Sequence, residues 1–256
     1  MQTKDEIVKN WLPRYTGRDL SEFGEYILLT NFIIYVEKFA AEFGVEVRGK
    51  DKPMQSATAD KITIINFGMG SPSAATIMDL LTAIQPKAAL FLGKCGALKS
   101  KFQLGDLILP TAAVRGEGTS KDYFPPEVPA LPAFALQKAV STTIRDYNKD
   151  YWTGSVSTTN RRVWEHDIKF KEYLSKIRVE AIDMETATIF IVGHANRIRT
   201  GALLLVSDRP FEPEGVKTAS SDANVTSQFV TDHLNIGIDS LRQLINNSLT
   251  IKHLKF

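Results

Sequence analysis

Two acidic residues in this chain each stand just beyond an apolar segment, where a carboxylate can be carried to the end of a buried element. Glu185 lies in Val179-Glu180-Ala181-Ile182-Asp183-Met184-Glu185-Thr186-Ala187, and Asp208 ends Gly201-Ala202-Leu203-Leu204-Leu205-Val206-Ser207-Asp208. The unbroken run Ala202 to Val206, opened by Gly201 and closed by Ser207-Asp208-Arg209-Pro210, predicts a strand buried on both faces. Open α/β sheets bind ligands at the carboxyl ends of their strands, so Asp208 is expected in a crevice. Two carboxyl groups there can share the work of breaking a bond. One serves as a fixed anion against developing positive charge, and the other as a general acid that hands a proton to the leaving group. Each residue also has a purely structural alternative: Glu185 as the cap of a helix through Thr186 to Ile198, and Asp208 as the start of a turn before Pro210.

Those positions need a scaffold, and 256 residues with 43% hydrophobic content suffice for one large α/β core. Between Tyr26 and Phe43, the apolar residues Leu29, Phe32, Ile33, Val36, Phe39, Ala40 and Phe43 follow helical spacing and predict one amphipathic helix. Before it, Trp11 to Arg18 carries Pro13 and Gly17 and is expected to be an arm or loop, and the polar residues 50–60 a connection. Ile62 to Asn66 predicts a strand, followed by the turn Gly68-Met69-Gly70 and a helix with Ser71 as N-cap and Pro72 at its first position. Ala88 to Leu92 completes a right-handed parallel crossover. Leu107 to Leu109 and Ala112 to Val114 predict a strand pair or one strand bent at Pro110. The proline-rich stretch from Gly116 to Pro132 predicts a long surface loop. A helix over Phe134 to Tyr147, a strand over Ser155 to Thr159 and a C-terminal helix with Leu234, Ile238, Leu241 and Ile245 on one side follow.

Composition excludes several function classes. A net charge of +2 without a dense basic stripe argues against nucleic-acid binding. No apolar run approaches the roughly 20 residues that span a bilayer, and the polar start Met1 to Glu6 lacks the form of a signal peptide, so a cytoplasmic protein without membrane partners is expected. Cys95 is the only cysteine, which excludes an intrachain disulfide; a small buried residue is the simpler reading of it than a nucleophile. His166, His194, His233 and His253 lie far apart and form no metal motif. The Gly68-Met69-Gly70-Ser71-Pro72 turn aims backbone N–H groups and a helix start at the crevice. Ser73 replaces the third glycine of a dinucleotide fingerprint, and in Gly93-Lys94-Cys95-Gly96 the lysine is followed by Cys, unlike a Walker motif.

Eight stretches together carry a wider likeness: Arg14-Tyr15-Thr16, Tyr26 to Asn31, Asn66 to Gly70, Gly93 to Gly96, Thr153 to Glu165, Ala181 to Ile189, Val206 to Pro210, and Asp232 to Ile238. They resemble the purine nucleoside phosphorylase superfamily, which includes the uridine phosphorylases, and within it the catalytic region of the AMP nucleosidase family. The resemblance runs over nearly the whole sequence. It implies a phosphorylase-like three-layer αβα fold with a central mixed, partly barrel-like sheet. A single catalytic domain over 1–256 would include an N-terminal helical arm over 1–50. Too few residues precede Tyr26 for the regulatory region of the longer AMP nucleosidases. It also implies hydrolysis of AMP to adenine and ribose 5-phosphate, no cofactor, and a homo-oligomer, a hexamer built from dimers. The alternatives are a purine nucleoside phosphorylase that consumes inorganic phosphate and a non-catalytic purine-binding sensor.

By the same resemblance, Glu185 accepts hydrogen bonds from the ribose 2′ and 3′ hydroxyls with Met184 packed on the sugar, and Asp208, oriented by Ser207, protonates the purine at N7. The turns holding Gly68, Gly70 and Lys94 would line the side where the nucleophile sits. Bacterial-type phosphorylases hold phosphate there with an Arg three residues before the Ser of Gly-Ser-Cys-Gly, and Phe91 and Lys94 occupy those places. The loss of an arginine fork favours water as nucleophile, although Lys94 can still hold an anion such as inorganic phosphate. For the 5′-phosphate, the candidates are Arg14 and Arg18, which would reach a neighbouring subunit's site, and Arg161 or Arg162; a solvated surface charge is the alternative for each. Trp164 stacks on adenine or is a core tryptophan. The glutamate that related thio-nucleosidases carry near their first strand has no clean equivalent ahead of Ile62.

Overall fold

The structure is a computed structural model that describes residues 2–246, so His253 lies outside the described residues. Its first helix, α1 (Lys4–Thr16), covers much of the stretch expected as a loop. Thr3 and Glu6 form a reciprocal cap at its start, and Pro13 and Gly17 act at its end. Gly17 adopts a left-handed φ of 66° and donates its N–H to the Pro13 carbonyl at 2.8 Å. The two helix breakers therefore mark a stop and not an absence of helix.

The helix expected from Tyr26 divides into strand β1 (Tyr26–Thr30) and helix α2 (Ile33–Phe43). Every residue of β1 is buried, and the strand pairs in parallel with neighbours on both sides. A strand covered on both faces has no apolar period to separate it from a helix. The polar link contains β2 (Gln55–Ala59), antiparallel to β3 (Ile62–Asn66). Helix α3 (Ser71–Leu80) leads to β4 (Ala88–Ala97), and β1 lies between β3 and β4 in the parallel set. Then come β5 (Leu107–Gly116), α4 (Phe134–Asp146), β6 (Trp152–Thr159), α5 (Ile168–Lys176), β7 (Ala181–Asp183), α6 (Thr186–Ala195), β8 (Thr200–Asp208) and the long α7 (Ala219–Asn246). The β5–β6 register shifts between Pro110 and Ala112, so β5 is one strand bent at the proline. A short 3-10 turn, Thr119–Asp122, lies within the expected surface loop.

The eight strands run in the order β2-β3-β1-β4-β7-β6-β5-β8, and β8 returns to pair with β4. Strands β4 to β8 therefore close a mixed five-stranded barrel, with β1, β3 and β2 extending as an open wing. Side chains of β1 alternate between two cores. Ile27 and Leu29 join one with α1, α3 and α6, whereas Tyr26 and Leu28 join the other with α2, α4 and α7. Helices on both faces of a mixed sheet give the expected three layers. No helix among the described residues is long and apolar enough to cross a membrane.

Candidate active site

At the carboxyl end of β8 the strand is irregular. Its pairing with β4 runs from Cys95 opposite Val206 to Gly96 opposite Asp208, which leaves Ser207 as an extra residue. Such a bulge re-aims the side chains beside it. The Ser207 hydroxyl donates to Asp208 Oδ1 at 2.7 Å, and a Cβ added to Gly96 would stand 3.0 Å from Asp208 Oδ2. Glycine at 96 thus gives the Asp208 carboxyl group its room.

Glu185 occupies the N-cap position of α6, but its side chain caps nothing. Asp183 performs that task. Its Oδ2 accepts from the Thr186 N–H at 2.8 Å, the Thr186 hydroxyl at 2.5 Å and the Glu185 N–H at 3.3 Å, while Oδ1 accepts from the Thr158 hydroxyl at 2.7 Å. With the helix end satisfied, Glu185 Oε1 is free to accept from the Gly70 N–H at 2.7 Å, and Oε2 from the Met184 N–H at 3.3 Å. Gly70 is the N-cap residue of α3 with φ 90°, a conformation that favours glycine; Ser71 and Pro72 fall inside the helix, one place later than expected. The Ser71 hydroxyl donates to the Met184 carbonyl at 2.8 Å and ties this turn to the Met184-Glu185 corner.

Burial, and then the Asp183 carboxylate beside it, push Glu185 up to about 8, against the pull of hydrogen bonds from Gly70, Met184 and the Asn31 side chain. Asp183 is raised too, by burial, in spite of its four donors. These are two buried acids whose ionisation is resisted.

Glu185, Met184, Ser207, Asp208, Lys94, Trp164 and Arg161 all line one cavity of about 240 Å³. The single hollow is the arrangement that a two-carboxylate reading requires. Trp164 is 5% exposed and packs edge-on to Phe170 at 5.6 Å, so it is both a core residue of a small cluster and a wall of the cavity. Arg161 and Arg162 sit at the mouth, paired with Asp167 at 2.9 Å and Glu165 at 3.7 Å. Gly68 and Gly70 belong to the adjoining turn, Gly68 donating to Asn66 Oδ1 at 3.2 Å. Arg14 does not line this cavity; it is exposed on α1 with its guanidinium 5.9 Å from the Trp11 ring centre. Arg18 is buried against Ser56, Nε to Oγ at 3.2 Å, and does not line this cavity. Phe91 is fully buried beside Phe67. Cys95 is buried, and burial lifts its thiol well above the ordinary range, which disfavours the nucleophilic thiolate.

Several lining residues had been given no role from the sequence: Asn31, Asp183, Lys217 and Asp222. Asp183 had a legible signal, an Asp three residues before Thr186 at a strand-to-helix junction. Lys217 and Asp222 had none. Among the described residues no three His, Cys, Asp or Glu side chains form a metal-ligating group.

Residues 31–249 match the family described as the phosphorylase superfamily. The chain belongs to the phosphorylase superfamily. A crystal structure of AMP nucleosidase from Bacteroides thetaiotaomicron VPI-5482 superposes with a TM-score of 0.86 at 54% identity, covering 97% of this chain and all of that one. AMP nucleosidase of Escherichia coli K12 is 26% identical over 276 residues, 90% of this chain but 57% of its own length, so the chain spans little more than half of that relative. A uridine phosphorylase structure from Vibrio fischeri ES114 shares the superfamily fold with a TM-score of 0.74 at 24% identity, covering 90% of this chain and 94% of its own.

Proposed function

We propose that the protein hydrolyses the N-glycosidic bond of AMP, giving adenine and ribose 5-phosphate. The observation that carries this reading is that Glu185 and Asp208 line one cavity. The 54% identity to a protein named AMP nucleosidase, over nearly the full length of both chains, supports the choice of substrate.

As the C1′–N9 bond breaks, positive charge develops on the ribose and electrons pass into the purine. Glu185, held by two backbone N–H groups, faces the ribose hydroxyls. Its anion resists burial until positive charge appears nearby, so its interaction is stronger in the transition state than with the neutral sugar. Asp208 donates a proton to N7, and the base leaves neutral; the Ser207 hydroxyl orients the carboxyl group. Water adds to C1′ from the side of Lys94 and Gly70 and releases a proton to solvent, from which Asp208 is reprotonated. Arg161 and Arg162 at the mouth, and Arg14 from a neighbouring subunit of a homo-oligomer, a hexamer, are the ligands we assign to the 5′-phosphate.

Incubation with AMP or adenosine, with and without inorganic phosphate, and identification of the sugar product tests this reading. Ribose 5-phosphate from AMP without phosphate is the expected result. Turnover of adenosine alone, and only with phosphate, would make the protein a purine nucleoside phosphorylase, and no turnover of either a purine-binding sensor.

A further inference from the structure

Lys94 lines the cavity on the side assigned above to the attacking water, yet its ammonium is already engaged from within the chain. An ammonium has three N–H donors. Lys94 Nζ reaches Asp222 Oδ1 at 2.8 Å and Thr226 Oγ1 at 2.8 Å, and it stands 4.6 Å from the centre of the Phe32 ring. The lysine side chain is 2% exposed, so solvent offers it no further partner. Asp222 and Thr226 stand four residues apart and so share one face of α7 in its first turns, a favourable place for a carboxylate. Lys217 closes the chain of charges, 3.6 Å from Asp222 Oδ1 and 3.6 Å from Asp208 Oδ1.

We propose that Asp222 is the specificity-determining residue that makes this site use water in place of inorganic phosphate, by supplying from α7 the anion that Lys94 would otherwise take from solution. Phosphate entering beside Lys94 must displace the 2.8 Å ion pair or bring a second anion against the half-buried Asp222 carboxylate, and both are unfavourable. Water carries no charge and meets neither obstacle. Phe91, fully buried, supplies no cation beside Lys94, and Lys217 is already shared between Asp222 and Asp208. This inference rests on the hydrolytic reading above.

Without the Asp222 charge, phosphate gains access to Lys94 and can itself attack. One phosphate oxygen then bonds to C1′ while the C1′–N9 bond breaks. Asp208 protonates the departing adenine and regains a proton from solvent, the phosphate releases its own, and the product is ribose 1,5-bisphosphate.

The test compares wild type, Asp222→Asn and Asp222→Ala with AMP across a series of inorganic phosphate concentrations, using phosphorus NMR to resolve ribose 5-phosphate from ribose 1,5-bisphosphate. Calorimetric titration with inorganic phosphate alone reports on a folded variant that has lost turnover. The expected result is phosphate binding at least about tenfold tighter in both variants than in wild type, seen as diversion to ribose 1,5-bisphosphate or as inhibition of hydrolysis. Unchanged phosphate affinity in a folded Asp222→Asn or Asp222→Ala would overturn the proposal. Wild type that splits AMP only when phosphate is added would instead overturn the hydrolytic reading, so the two failures are distinct.

Discussion

Raising the pH from about 6 to about 9 should switch the site on, because Glu185 must lose a proton that burial and Asp183 retain up to about pH 8. If the ionised carboxylate grips the ribose, kcat/KM climbs roughly tenfold per pH unit below that value and levels off above it, a gain of about fiftyfold between pH 6 and pH 8. Glu185→Gln removes the titration. It also replaces two charge-assisted hydrogen bonds to the sugar hydroxyls, each about 1.5–3 kcal/mol, so kcat/KM falls by about 10²–10⁴. Glutamine has one oxygen for the two N–H groups of Gly70 and Met184, which leaves one of them facing a donor. Adenine release, followed by chromatography in phosphate-free buffer, measures both effects. A limb near pH 6 from the substrate phosphate persists in the variant, whereas the limb near pH 8 disappears. Stability shifts in the opposite sense. Between the unfolded value near 4.5 and about 8, the folded chain binds the extra proton, so the Glu185 contribution is retained at the acid end of this window and lost as pH rises through it. A flat kcat/KM profile from about pH 6.5 to 8, or a pH 8 limb that survives in Glu185→Gln, would refute this reasoning.

Three substitutions extend the test. Asp208→Asn should lower kcat by about 10²-fold or more while AMP affinity changes little, and an equal loss of affinity, measured by titration, would remove it from the acid role. Asp183→Ala deprives the Thr186 and Glu185 N–H groups and two hydroxyls of their acceptor. It should cost about 2–4 kcal/mol in a denaturant titration, and an unchanged midpoint would contradict its capping role. Arg14→Ala should raise KM for AMP about tenfold without altering adenosine, and an unchanged AMP-to-adenosine ratio would exclude Arg14 from the phosphate site.

What was legible in the sequence followed from local chemistry. The run Ala202 to Val206 between Gly201 and Ser207 gave β8, and with it the place of Asp208, because a buried strand with turn residues at both ends has few other readings. Tyr26 to Thr30 misled for the same physical reason: a strand buried on both faces has no period, and the helical spacing of α2 absorbed it. Gln55 to Ala59 reads as a polar link because its partner β3, and not its own apolar content, makes it a strand. Pro13 and Gly17 suppress the helical signal of α1 although they only end it. In the site, Glu185 and Asp208 were visible as acids at element ends. The Lys94–Asp222 pair joins residues 128 apart, and only the packing of α7 against the barrel brings them together.

The most direct measurement is a crystal structure of the Asp208→Asn variant with AMP bound, since turnover is expected to be slow enough to keep the nucleotide intact. The ribose 2′ and 3′ hydroxyls should lie within hydrogen-bond distance of Glu185, with purine N7 facing residue 208 and the C1′ face opposite the base open toward Lys94. AMP bound outside this cavity, or with its base turned away from residue 208, would contradict the joint action of the two carboxyl groups on one nucleotide.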